Sequence, residues 1–274
     1  MSEYRGPDDV LLVRRDGSVV DLVLNRPDAL NALDQDLVAA LIEELDGLRD
    51  APGVRAVILS GAGRAFCAGS DLVAMRDRPI RAGLGGGERS RARQAEESRL
   101  TWAFGAVIRL FELSRPTVAA LHGAVAGGGL GLALACDFRV AATSTQLVTA
   151  YRSLGLPGDW GVTALLPALA GPQVARRLLM RGGRVGADEA LELGLVDQVV
   201  PDDELAHARH ELAVELSEGP TLALGEIKRL LTRFDLRRQL QEEIGVTLSC
   251  QETADHAEGL SAFFERRAPR FSGT

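Results

Sequence analysis

Histidine and cysteine are both scarce in this chain of 274 residues, with four and three copies, and neither type clusters. Cys67, Cys136 and Cys250 are odd in number and far apart, which argues against a disulfide framework and against a cysteine metal centre. The scattered histidines add no ligand motif, so no metal site is expected. A long basic stripe is also missing. The formal net charge is -7, so no nucleic-acid partner is indicated, and the moderate acidity speaks only for solubility. No apolar run reaches membrane-spanning length, and the opening MSEYRGPDD lacks the apolar core of a secretion signal. These absences predict a soluble, cytoplasmic protein with no membrane partner. Neither an internal repeat nor a low-complexity linker is visible, and 46% apolar residues suffice for one large domain or a domain with an appendage.

What the chain does have is a glycine-rich centre, TVAALHGAVAGGGLGLALACD from Thr117 to Asp137. Gly127, Gly128 and Gly129 carry no side chain, so a ligand can approach the backbone N–H groups directly. A helix starting just after them would leave its first N–H groups unpaired and its positive end facing the same spot. That combination stabilises an anion. No Lys-Ser or Lys-Thr follows, and the G-x-G-x-x-G register fails at Leu132, so an oxyanion hole fits better than a nucleotide-phosphate loop. A turn that only packs a strand closely on a helix stays open as the alternative.

Around this centre the periodicities alternate, as in α/β folds. Residues 10–13 and 19–24 read as a hairpin, and Asp34 is placed to cap a helix with Leu37, Leu41, Leu45 and Leu48 on one face. VRAVILS at 54–60 is the next strand, followed by the loop GAGRAFCAGSDL. Met75 to Arg99 carries seven arginines around a Gly83 to Gly87 tract and reads as a mobile loop leading into a helix. Its charges fit a solvated face with Glu88, Glu96 and Glu97 better than a phosphate site. Residues 100–113 read as an amphipathic helix and FRVAA after Asp137 as a strand. The last third reads as helices over 188–193, 202–216, 221–233, 235–254 and 255–267, the last of these apolar enough to dock on another surface.

Four segments in order, NRPDALNAL at 25–33, RAFCAGSDL at 64–72, HGAVAGGGLGLALACD at 122–137 and GLPGDWGVT at 155–163, make the chain resemble the crotonase superfamily, the enoyl-CoA hydratase/isomerase family. GRVGADEALELGLVDQVV and EGLSAFFERRAPRF extend the likeness over nearly all of residues 10–272. The resemblance implies an α/β fold, a spiral of ββα turns over residues 1–200 with an acyl-CoA site, and a helical trimerisation region over residues 201–274. It implies an acyl-CoA thioester as substrate, with coenzyme A part of that substrate and no separate cofactor, and a homotrimer or a dimer of trimers. The oxyanion donors map to the backbone N–H groups of Ser70 and Gly128, flanked by Ala68, Gly69, Asp71, Leu72 and Gly127. Arg26, Asp28, Ala29 and Leu30 match the family's pantetheine and phosphate contacts, although Arg26 equally suits a surface residue.

Both hydratase glutamates are missing: their positions map to Gly131 and Tyr151. Asp159 matches the aspartate of isomerases and dehalogenases in the family, four residues after the glycine of a G-L-x-x-D pattern. A lone carboxylate beside an oxyanion hole suits a proton shuttle, and so double-bond isomerisation, with Trp160 or Tyr151 as apolar cover. Tyr151 also suits core packing. Hydration, acyl-CoA hydrolysis and a non-catalytic acyl-CoA binder remain alternatives, and so does Asp159 as a cap for a helix starting near Val162. His122 reads as a packed, hydrogen-bonded residue and Cys67 as a small apolar filler.

Overall fold

The computed structural model describes residues 2–3, 9–76, 86–232 and 235–274. Much of the arginine and glycine tract expected to form a loop, including Arg78, Arg81 and Gly83, lies outside the described residues, as does position 233 at the end of one expected helix.

The short strand β1 (Ser2–Glu3) edges a hairpin of β2 (Leu11–Asp16) and β3 (Val19–Leu24). From β3 the sheet continues in parallel through β4 (Ala56–Gly61), β5 (Thr117–Leu121), β7 (Phe138–Ala142) and β10 (Gln198–Val200). Every residue of β3 and β5 is buried, because parallel strands are covered on both faces. Alternation sends Val20, Leu22 and Leu24 to the larger core, while Val19, Ile58, Val118 and Val140 face the helix α7 (Leu205–Glu218).

A second, three-stranded sheet holds β6 (Ala124–Ala126), β8 (Gln146–Val148) and β9 (Arg184–Gly186). It reveals a repeat that the sequence hides. A strand of the large sheet leads to a short extended segment and then to a helix: β5, β6 and α4 (Gly128–Ala135), then β7, β8 and α5 (Val162–Arg181). The earlier turns reduce the short segment to single bridges, Leu33 to Ser70 and Cys67 to Val125, before α1 (Gln35–Arg49), α2 (Leu72–Arg76) and α3 (Gly86–Glu112). This is the ββα spiral. Asp34 caps α1 as expected, accepting from Leu37 N at 2.9 Å.

α3 starts well before the expected residue 100, and its arginines are not simply solvated. Arg89 and Arg93 pair with Glu252 at 2.9 and 3.0 Å, and Arg99 pairs with Glu96 at 2.7 Å. After α6 (Ala187–Glu192) and α7 come α8 (Thr221–Leu231), α9 (Leu236–Cys250) and α10 (Ala254–Phe264). α9 lies on α3, and α10 lies on the 3-10 turn Tyr151–Leu154, where His256 Nδ1 meets the Leu154 carbonyl at 2.7 Å. α9 and α10 therefore close over their own chain. Among the described residues no helix is long and apolar enough to cross a membrane.

Candidate active site

Two loops and one turn meet at the N-terminus of α4. The first loop, 64–72, is knitted to the NRPDALNAL segment by Asn31, a fully buried residue whose Nδ2 donates to the carbonyls of Ala62, Ala65 and Phe66. Its Oδ1 accepts from Arg26 N at 2.8 Å. Asn31 and Leu30 adopt positive φ of 56° and 52°, the tight bend that lets one side chain reach three carbonyls. The sequence reading missed Asn31; the only signal was an asparagine placed for a turn.

The second loop, 126–129, abuts the first. Gly127 would place a Cβ 3.9 Å from Gly69 Cα, and Gly69 would place one 3.3 Å from Gly128 N. The backbone N–H groups of Ser70 and Gly128 have no hydrogen-bond partner among the described residues. Gly128 opens α4 and follows an N-cap, Gly127, that offers no side-chain acceptor, so the free N–H sits at the positive end of the helix. Two unpaired donors at the junction of two loops are the arrangement an anion site requires. Ala68, by contrast, spends its N–H on Leu30 O, and Asp71 spends its own on Leu33 O.

The turn is Gly158–Gly161. Asp159 is 5% exposed, and its Oδ1 is buried with no hydrogen-bond partner among the described residues. Burial pushes its carboxyl up to about 7, with Glu243 adding to the rise while Tyr151 and Arg99 oppose it. The side chain does not cap α5, whose N-cap is Gly161 without a side-chain bond; only the Asp159 carbonyl reaches Val162 N, at 3.1 Å. The capping alternative therefore lacks a contact. Tyr151 is buried behind the acid, and its hydroxyl donates to the Asp159 carbonyl at 3.2 Å.

Trp160 joins the turn to both loops. Its Nε1 donates to Ser70 Oγ at 3.1 Å, and its indole packs so closely on Gly128 that a Cβ there would approach it to 2.8 Å. Phe104 supports the indole, with ring centroids 5.3 Å apart. A Cβ on Gly131 would come within 2.4 Å of the Trp160 carbonyl and 2.7 Å of its Cβ. The space a side chain at 131 would need is already filled.

Ser70, Asp159 and Trp160 line one cavity of about 240 Å³, together with Arg99, Leu100 and Phe104 of α3. It shares Met75, Arg99 and Gln251 with a larger, mainly apolar groove of about 580 Å³ against α10. Asp34 and Asp71 also reach the cavity wall, but Arg26 holds both, at 3.1 and 3.2 Å. Arg26 thus ties the loops together from inside rather than standing free. Asp28 is exposed, Ala29 and Leu30 are half-buried, and all three lie at the 3-10 turn Pro27–Ala29, away from the cavity wall; Leu72 opens α2. His122 donates from Nε2 to the Gly63 carbonyl at 3.0 Å, and Cys67 is fully buried with its thiol pushed up to about 12 by burial. Among the described residues no group of three or more His, Cys, Asp or Glu side chains could hold a metal ion.

Comparison with known proteins places this geometry in context. The family profile described as enoyl-CoA hydratase/isomerase matches residues 14–274. A 1,2-epoxyphenylacetyl-CoA isomerase of Escherichia coli is 36% identical, over 97% of this chain and 99% of its own length. A crotonyl-CoA hydratase of Syntrophomonas wolfei is 31% identical, over 95% and 97%. Among solved structures, an enoyl-CoA hydratase/isomerase from Pseudoalteromonas atlantica superposes with a TM-score of 0.83 at 28% identity, over 96% of this chain and all of that one. With the ββα spiral and the paired free N–H groups already in view, the chain belongs to the enoyl-CoA hydratase/isomerase family of the crotonase superfamily.

Proposed function

We propose that this family member is an enoyl-CoA isomerase that shifts a carbon–carbon double bond, with Asp159 as the sole proton shuttle. The observation that carries the reading is Asp159 itself, a carboxyl buried in the cavity beside Ser70 and Trp160, with its Oδ1 unpartnered among the described residues, and pushed up to about 7 by burial. A base of that strength takes a proton near neutral pH and, once protonated, is able to give it back.

The thioester oxygen of a 3-enoyl-CoA sits between Ser70 N–H and Gly128 N–H. Asp159 takes a proton from the carbon next to the thioester, and the electron pair spreads to the thioester oxygen as a dienolate. The two donors stabilise that charge. The Asp159 carboxylic acid then returns the proton to the far end of the dienolate, leaving a 2-enoyl-CoA. No cofactor takes part. Hydration, the activity in the name of the Syntrophomonas relative, needs groups that hold and deprotonate a water. Position 131 supplies none, and the other wall carboxylates are held by Arg26. The Escherichia coli relative is named as an isomerase of an epoxide-bearing acyl-CoA, which shares the thioester but not the double bond. Residues 1–200 then serve as the spiral core with the acyl-CoA site, and residues 201–274 as the oligomerisation region of a homotrimer or a dimer of trimers.

The test is turnover of 3-enoyl-CoA against 2-enoyl-CoA by the wild-type and Asp159→Asn proteins. Isomerisation falls by roughly 10²-fold or more in the variant. The wild-type kcat/KM rises with pH through about 7, because the base works as the carboxylate. An Asp159→Asn protein with wild-type turnover removes the residue from the mechanism.

A further inference from the structure

We propose that Glu243, on α9, is a positioning residue for proton transfer: its carboxylate clamps the backbone at Gly161 and Thr163 and so fixes where Asp159 and Trp160 stand in the cavity. The inference rests on the isomerase reading above.

The turn needs outside support. Gly158 and Gly161 have φ of 123° and 78°, and between them Trp160 has φ of 53°, a conformation that a bulky L residue rarely adopts. Gly161 also begins α5 with no side chain to satisfy the first N–H groups of the helix. Glu243 supplies what the turn lacks. One carboxylate oxygen accepts from Gly161 N at 2.8 Å, while the other accepts from Thr163 N at 3.0 Å and from the Thr163 hydroxyl. Gln239, one helical turn earlier on α9, donates to the same hydroxyl at 3.0 Å. Glu243 is thus a cap delivered from another helix, and the residues it holds directly follow the acid and its aromatic cover.

Three donors on one side chain suit the ionised form, even though Glu243 is 4% exposed and burial raises its pKa. That charge reaches Asp159. The acid is faced by the Tyr151 hydroxyl from the 3-10 turn, by Arg99 from α3 and by Glu243 from α9. Arg99 is bidentate to Glu96, which tempers its pull. Glu243 therefore opposes Arg99 and favours the protonated acid that must return the proton.

The experiment measures kcat, KM, pH profile and thermal melting with a 3-enoyl-CoA for Glu243→Ala, Glu243→Gln and Asp159→Asn. In Glu243→Ala, kcat falls on the order of 10²-fold while KM changes little, since a misplaced acid slows the chemistry more than it weakens binding. Glu243→Gln keeps an acceptor oxygen and recovers about tenfold of that loss. Its acid limb moves to lower pH, because the negative neighbour of Asp159 is gone. A folded Glu243→Gln protein with wild-type kcat and an unmoved limb overturns the inference, and so does a variant that melts earlier with those two readouts unchanged. If Glu243→Ala fails to fold, the Gln variant alone decides. A fully active Asp159→Asn protein overturns the isomerase reading and this inference with it; a dead one beside an unaffected Glu243→Gln protein overturns this inference alone.

Discussion

Asp159 destabilises the fold whenever it is ionised, because its buried Oδ1 has no partner among the described residues to replace water. Its folded pKa of about 7 lies above the ordinary 3.8, so between these values the folded state holds the extra proton. Stability is therefore lost as pH rises through about 7. Replacing the acid by Asn removes this dependence. In thermal melts Asp159→Asn matches the wild type below pH 4 and exceeds it at pH 8, by up to about 4 kcal/mol from a shift between 3.8 and about 7. An unchanged difference across that range would show that the carboxyl is not held out of water. At this scale the sequence was legible where a residue type alone decides. Asp34 as a cap and Cys67 as a filler follow from their surroundings in the chain. Asn31 and Glu243 did not, since what makes them matter is a partner more than thirty residues away.

α4 shows how an element can be read in outline but not in packing. Its glycines and apolar residues announced a helix with an exposed positive end, yet all eight of its residues are buried. The reason Gly131 is glycine lies in Trp160, which reaches it from another turn of the spiral. Gly131→Ala therefore forces the Trp160 carbonyl away and costs about 1–3 kcal/mol of stability. Melting temperature falls and isomerase kcat falls with it, because the same shift moves Asp159. A variant as stable and as active as the wild type would mean that the Trp160 turn yields freely. Helix starts were also misplaced where charge hides the pattern: α3 begins at Gly86, through a stretch whose Arg89, Arg93 and Arg99 find their partners on Glu252 and Glu96.

For the whole molecule, the succession of ββα turns was legible only through family likeness. Each short strand of the second sheet is three residues long, and in the earlier turns single bridges replace it, too little to leave a period in the sequence. The C-terminal helices add a second feature. α9 and α10 fold onto their own core, whereas α8 buries none of its residues and leaves Leu222 at 86%, Leu230 at 62% and Leu231 at 76% exposure. Leu230 and Leu231 fall on one side of the helix with Ile227, which is also exposed, and such a face fits the proposed assembly. Light scattering of the wild type gives a mass three or six times 29.2 kDa, and a Leu230→Glu, Leu231→Glu double variant gives a smaller one. A wild-type monomer would reject the assembly.

The clamp between Glu243 and Gly161 spans 82 residues of chain, and so it also sets an order of events. A chain made from its amino end completes both sheets before α9 exists to dock. Until then the turn carrying Asp159 has no cap, and the proposed oxyanion donors stand beside a carboxyl that is not yet held in place. Under the proposed function, catalytic competence therefore waits for the same docking step that completes the core, to which Leu236, Leu240, Ile244 and Leu248 of α9 belong.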